Sequence, residues 1–134
     1  MATKTSTKVA AGVQPKGLRV GLVAVTATFS MATTLSAGDV IQMIHVPKNA
    51  TPVYVALTGA TTGVGSVNVG DAVDANRYIN AYGCSANAVQ VAINTAFTPY
   101  TYSTDDTIDI TVSAASVGTV GGSFVLTAIF SMDV

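Results

Sequence analysis

Tryptophan and glutamate are absent from this chain of 134 residues, and it has one cysteine, Cys84, and one histidine, His45. Only 10% of its residues are charged, against a norm of about 25%. Each shortage excludes something. A lone cysteine forbids an intrachain disulfide. One His, one Cys and no Glu cannot assemble a typical zinc site, so no metal and no cofactor is expected. Glu, Lys, Leu and Arg stabilise exposed helix faces, and their scarcity argues against a helical bundle. Disordered chains are charged and poor in apolar residues. This one is 49% hydrophobic with a mean hydropathy of +0.51.

What is present favours strands. There are 20 Ala, 20 Val and 19 Thr, and branching at Cβ suits a pleated surface. Four long stretches, 20–38, 49–70, 78–104 and 110–132, lack Asp, Lys and Arg. Thr, Ser, Asn or Gly interrupts each every few residues, so they read as strands and turns rather than membrane spans. Val9-Ala10-Ala11-Gly12-Val13 is too short for the apolar part of a signal peptide, so synthesis and use without export are expected.

The charges divide the chain. Lys4, Lys8, Lys16 and Arg19 make residues 1–19 basic, with no acid among them. The remainder carries Lys48 and Arg77 against seven aspartates. Residues 1–17 read as an extended basic arm, closed by Pro15 and Gly17 and lacking a periodic apolar face. Residues 18–134 read as a single β-sandwich domain. Lys4, Lys8 and Lys16 of the arm, with Arg19 just beyond it, are the candidate partner-binding residues, able to order on an acidic surface through charge-assisted bonds. Without interleaved aromatics they predict no specific nucleic-acid binding.

Within the body, residues 20–29 read as a long strand and residues 36–39 as a turn. Residues 40–46 form the next strand, with Val40, Ile44 and Val46 on one face and Ile41, Met43 and His45 on the other. After a turn at Pro47-Lys48-Asn49, Val53, Val55 and Leu57 alternate with Tyr54 and Ala56. Strands at 66–69 and around 89–93, a helical turn at 72–77 and a short edge strand at 99–102 are expected. Residues 107–114 alternate so that Ile108, Ile110 and Val112 face inward while Thr107, Asp109, Thr111 and Ser113 form a wet face. Residues 123–132 close the chain, with Phe124, Leu126 and Phe130 as core and Val125 and Ile129 opposite. Seven or eight strands predict an all-β, two-sheet antiparallel sandwich of jelly-roll or related Greek-key type. An immunoglobulin-like sandwich is the second choice and lacks its Trp and Cys pair. The last two strands are expected to pair as a hairpin. Second apolar faces on residues 40–46 and 123–132 predict a homodimer or homotrimer.

Catalytic chemistry finds little to work with. His45 lies mid-strand between Ile44 and Val46, Cys84 has no adjacent cation to activate it, and no Gly-x-Ser-x-Gly elbow exists. Asp71, Asp74 and Asn76, or Asp105, Asp106 and Asp109, lack calcium-loop spacing and read as turn caps. Arg77 near Asp71 and Asp74 reads as an ion pair holding a loop.

The run Val67-Asn68-Val69-Gly70-Asp71-Ala72-Val73-Asp74-Ala75-Asn76-Arg77-Tyr78-Ile79 resembles a segment common in phage structural proteins. In texture, the whole chain is similar to the cement, or head decoration, proteins of tailed bacteriophages. That resemblance implies a non-enzymatic virion protein on the outer capsid surface, assembled in the bacterial cytoplasm. It would clamp neighbouring major capsid proteins and bind itself, but no membrane and no small-molecule substrate. The alternative is a tail or head-fibre domain binding a host-surface glycan, which requires an exposed cluster drawn from Tyr78, Tyr82, Tyr100 and Tyr102. A small hydrolase is the remaining rival and lacks acid and base residues.

Overall fold

The computed structural model of the chain describes residues 2–10, 21–60, 65–83, 89–91, 100–114 and 122–132. Its elements are β1 (Thr3–Thr5), α1 (Thr7–Ala10), β2 (Gly21–Ser30), β3 (Val40–Val46), β4 (Ala50–Ala60), β5 (Ser66–Gly70), β6 (Ile79–Gly83), β7 (Val89–Val91), β8 (Asp106–Ala114) and β9 (Ser123–Met132). They form two facing sheets, one ordered β1-β3-β8-β5-β6 and the other β2-β9-β4-β7. The pairs β2·β9, β3·β8, β4·β7 and β5·β6 are nested and antiparallel. This is a long hairpin rolled into a sandwich, the connectivity of the jelly-roll class. It places the turn at 47–49, the loop at 71–78 and the segment at 100–105 at one end of the molecule.

Strand β9 keeps strict alternation. Phe124, Leu126, Ala128 and Phe130 are fully buried, while Val125, Thr127 and Ile129 are half-buried on the outer face. The facing sheet contributes Ile41, Met43, Ile44, Ile108, Ile110 and Val112. Thus β8 and β9 do not form the hairpin expected from sequence. They lie in opposite sheets, and β8 pairs with β3 and β5 instead. Both strands bury one apolar face, which is equally served by facing each other across the core.

Strand β3 also departs from expectation. Its register against β8 shifts between Gln42 and Ile44, leaving Met43 as an extra residue. The bulge turns Ile41, Met43, Ile44 and Val46 all into the core. The second apolar face read into residues 40–46 therefore does not exist. A similar shift between Pro52 and Tyr54 removes Val53 from the inward set of β4 and leaves it exposed. Asn49 takes the positive φ of 71° that the preceding turn requires.

Other local expectations give way to turns. Residues 72–77 form bends and turns, not a helical turn, and residues 100–102 are not a strand. Tyr102 instead exchanges two backbone bonds with the β3–β4 turn: Asn49 N–H donates to its carbonyl at 2.7 Å, and its own N–H donates to Ala50 at 3.0 Å. Pro99, Cys84 and Ile93 lie outside the described residues.

The first residues of the arm dock on the body. Thr3–Thr5 pair with Val40, Ile41 and Gln42 in the sandwich's one parallel pairing among the described residues. Ser6 is fully buried. Its hydroxyl donates to Met43 O at 2.5 Å and accepts from Val9 N–H at 3.2 Å, capping α1. Asp39 accepts the N–H groups of Ser36 at 3.0 Å and Ala2 at 3.1 Å. These bonds hold its carboxyl below the usual carboxylate range. Sequence reasoning missed Asp39 because its partner Ala2 lies 37 residues away. Lys16 and Arg19 lie outside the described residues.

Candidate functional site

The most densely connected polar cluster in the described residues sits at the end of the sandwich where residues 47–49, 71–78 and 100–105 meet. Strand β5 delivers the chain to Gly70, which β8 holds opposite Asp109. The loop then folds back so tightly that a Cβ at Gly70 would lie 2.0 Å from the carbonyl oxygen of Asp74. Only glycine permits that approach. Asp71 N–H donates to the same carbonyl at 2.9 Å, closing the loop.

The Asp71 side chain, 1% exposed, is the hub. Its Oδ1 accepts from the N–H groups of Val73 at 3.0 Å and Asp74 at 2.9 Å. Its Oδ2 accepts from Arg77 Nε at 2.5 Å and from the Tyr102 hydroxyl at 2.9 Å. The Tyr78 and Tyr102 hydroxyls are 2.7 Å apart. Arg77 also lies over the Tyr100 ring, 3.7 Å from its centroid, a cation–π contact. Tyr100 and Tyr102 meet edge to face with centroids 5.0 Å apart.

Burial pushes the Asp71 carboxyl upward, but Arg77, the Asp74 N–H and the Tyr102 hydroxyl outweigh it and hold it below the usual range. Burial raises both Tyr78 and Tyr102, so neither hydroxyl ionises near neutrality. The arrangement is a rigid brace made of saturated hydrogen bonds. Of the three residues expected to form the loop ion pair, Arg77 and Asp71 are in contact. Asp74 contributes its backbone carbonyl, and its carboxylate accepts the Asn76 N–H at 3.3 Å.

The tyrosines do not form the exposed cluster that glycan binding requires. Tyr78, Tyr82 and Tyr102 are buried and Tyr100 is half-buried. The rings of Tyr78, Tyr100 and Tyr102 join the core where the loops close this end of the sandwich, while Tyr82, paired with Val67, lies beside Gly59 toward the other end. No group of three or more His, Cys, Asp or Glu side chains among the described residues is placed to hold a metal. His45 is half-buried on the outer face of β3, opposite Thr107.

The expected wet face of β8 is not wet along its first half. Thr107 and Asp109 are buried, and the Thr107 hydroxyl donates to Asp109 at 2.6 Å. Burial raises the Asp109 carboxyl to about 7, opposed by Thr107 and reinforced by the charges of Asp106 and Asp71. The consequence for stability has a definite sign. Below the ordinary value of 3.8, both folded and unfolded chains hold the proton. Between about 4 and about 7 the unfolded chain ionises first, so stability falls as pH rises, by about 4 kcal/mol at most. Asp71 and Asp39 act oppositely: their contribution is present above about 4 and is lost as pH falls through their depressed folded values. Maximum stability is therefore expected in the mildly acid range. Asp109→Asn should raise the unfolding midpoint at pH 8 and leave it nearly unchanged at pH 4. Equal shifts at both pH values in urea titrations would contradict this reading.

Three large apolar side chains are exposed among the described residues: Leu22 at 66%, Val53 at 40% and Val73 at 81%. All three lie at this same end, near the start of β2, near the start of β4 and in the braced loop. Sequence reasoning did not single them out, because nothing local distinguishes them from core valines and leucines.

No family model and no curated protein sequence matches the chain. Its fold does match solved structures. A chain in the capsid of Ralstonia phage GP4 superposes with a TM-score of 0.83 at 20% identity, covering 98% of this chain and 99% of that one. A chain in the cyanophage Pam1 capsid asymmetric unit gives 0.73 at 18% identity, with 87% and 89% covered. A chain in the acidic stable capsid structure of Helicobacter pylori bacteriophage KHP30 gives 0.60 at 15%, with 83% and 89% covered. At these identities the likeness is one of fold: the two-sheet β-sandwich of this protein is also a fold found in bacteriophage capsids.

Proposed function

We propose that the protein is a non-enzymatic structural component of a bacteriophage virion, which decorates the outer capsid surface and clamps neighbouring major capsid subunits. One observation carries this reading. The match to the GP4 capsid chain spans nearly all of both chains, so a whole chain of this size and fold is part of a phage capsid. The buried tyrosines count against the glycan-binding alternative.

In this reading the affinity comes from avidity. Each copy touches more than one shell subunit, and self-association as a dimer or trimer multiplies those contacts through effective concentration. Lys4, Lys8, Lys16 and Arg19 supply salt-sensitive contacts to acidic neighbours. Assembly takes place in the bacterial cytoplasm.

The test is to mix purified protein with undecorated heads and count bound copies by cryo-electron microscopy. Copy numbers that follow the icosahedral lattice are expected. A few copies confined to one vertex would point to the tail, and no binding would end the proposal. Replacing Lys4, Lys8, Lys16 and Arg19 with Gln should weaken binding at least tenfold and flatten its salt dependence. Unchanged affinity in both low and high salt would remove the arm from the mechanism.

A further inference from the structure

Val73 is held 81% exposed at the tip of a loop that is otherwise over-determined. Single exposed apolar residues on a surface need no explanation. Here the exposure is enforced. The Val73 N–H is bonded to the Asp71 carboxylate, and Arg77 and Tyr102 lock that carboxylate in turn. Gly70 allows the loop no slack, because the backbone of Asp74 and Ala75 already fills the space of a side chain there. A polar residue at the tip would be better solvated, yet a valine stands there between Ala72 and Asp74, with Asp74 half-buried and the exposed Ala72 and Ala75 small. Leu22 and Val53 are exposed at the same end of the sandwich.

We infer that this end is the docking face toward the capsid shell, with Val73 as its pre-organised apolar anchor. A rigid loop loses little entropy when it binds, which is how pre-organisation raises affinity. The charges at this end say what the partner offers. Asp105 is exposed, and Asp74 and Asp106 are half-buried. Lys48 is the one exposed cation there among the described residues, since Arg77 is occupied by Asp71 and Tyr100. The occupant is therefore a shell-protein surface with a small apolar pocket rimmed by Lys or Arg. This inference rests on the decoration reading and adds the face, the anchor and the chemistry of the receiving site.

The experiment compares wild type, Val73→Asp, Val73→Ile and Leu22→Ser for binding to undecorated heads, with thermal unfolding measured on each. The loop is held by its backbone and by Asp71, so the midpoint of Val73→Asp should match wild type. Its binding should fall at least tenfold, Val73→Ile should bind normally, and Leu22→Ser should fall between. If wild type binds and Val73→Asp binds equally, the docking face is elsewhere while the decoration reading stands. If wild type itself does not bind heads, both fall. A concentration-dependent dimer in sedimentation that Val73→Asp dissolves would make a second copy the occupant and overturn the shell-facing assignment.

Discussion

Phe130→Ala and Phe124→Ala are each expected to lower the free energy of unfolding by about 3–5 kcal/mol, a large share of the stability of a domain this size. Both rings are fully buried on the inner face of β9, the central partner of β2 and β4. In register, Phe130 lies between Val23 and Pro52, and Phe124 between Phe29 and Gly59. The Phe124 ring occupies the space beside Gly59, where a Cβ would come within 3.2 Å of it and 3.4 Å of the Tyr82 ring in the opposite sheet. Deleting that ring removes contacts to both sheets, and the two ladders of β9 prevent its backbone from moving inward to fill the void. Urea titration measures the loss. A change below about 1 kcal/mol at either position would mean that the site collapses freely, which a strand paired on both sides does not allow.

Asp71→Ala is expected to lower stability by about 3–5 kcal/mol, the loss found when one partner of a buried ion pair is removed. The substitution leaves Arg77, whose side chain is only 16% exposed, without its counter-charge. It also leaves the Tyr102 hydroxyl and the Val73 and Asp74 amides without their acceptor. Asp71→Asn keeps an acceptor for the turn and should fall between wild type and Ala. Hydrogen exchange supplies a second reading: protection of the Val73 and Asp74 amides should vanish first, because their bonds are to the deleted carboxylate. Equal stability of Asp71→Ala and wild type at pH 7 would show that the cluster is ornamental. The same substitution should remove part of the acid-side loss of stability, since Asp71 is among the groups whose protonation destabilises the fold.

The Asp71–Arg77 contact was readable in the sequence because its partners are six residues apart in one turn-rich run. The rest of the cluster was not. Tyr102 reaches Asp71 across 31 residues and Tyr78 across 24, and both tyrosines are there because the two-sheet roll brings the loops to one end. The glycan alternative requires these tyrosines to be exposed, and the fold buries them. Whether a tyrosine on a loop faces water depends on which other loop covers it, and no local pattern carries that information.

The same division runs through the strands. In β9 the alternation of Phe124, Leu126, Ala128 and Phe130 with Val125, Thr127 and Ile129 is local, unbroken and fully reflected in burial. In β3 an equally apolar run departs from alternation, because the extra residue at Met43 is defined only by the register against β8. Asp109 sits at an outward position by alternation, yet it is buried, since a strand's pattern says which way a side chain points and not what lies over it. Strand content, the inward residues of regular strands, the turn at Asn49 and the scarcity of catalytic groups can be read from the chain alone, because all are properties set by neighbours within a few residues. Long-range packing places β8 across from β9 rather than beside it, lays the arm's first residues along β3 and makes a braced loop present Val73 to solvent. Those outcomes depend on backbone hydrogen bonds and packing between segments tens of residues apart, and their energies are invisible to any local pattern.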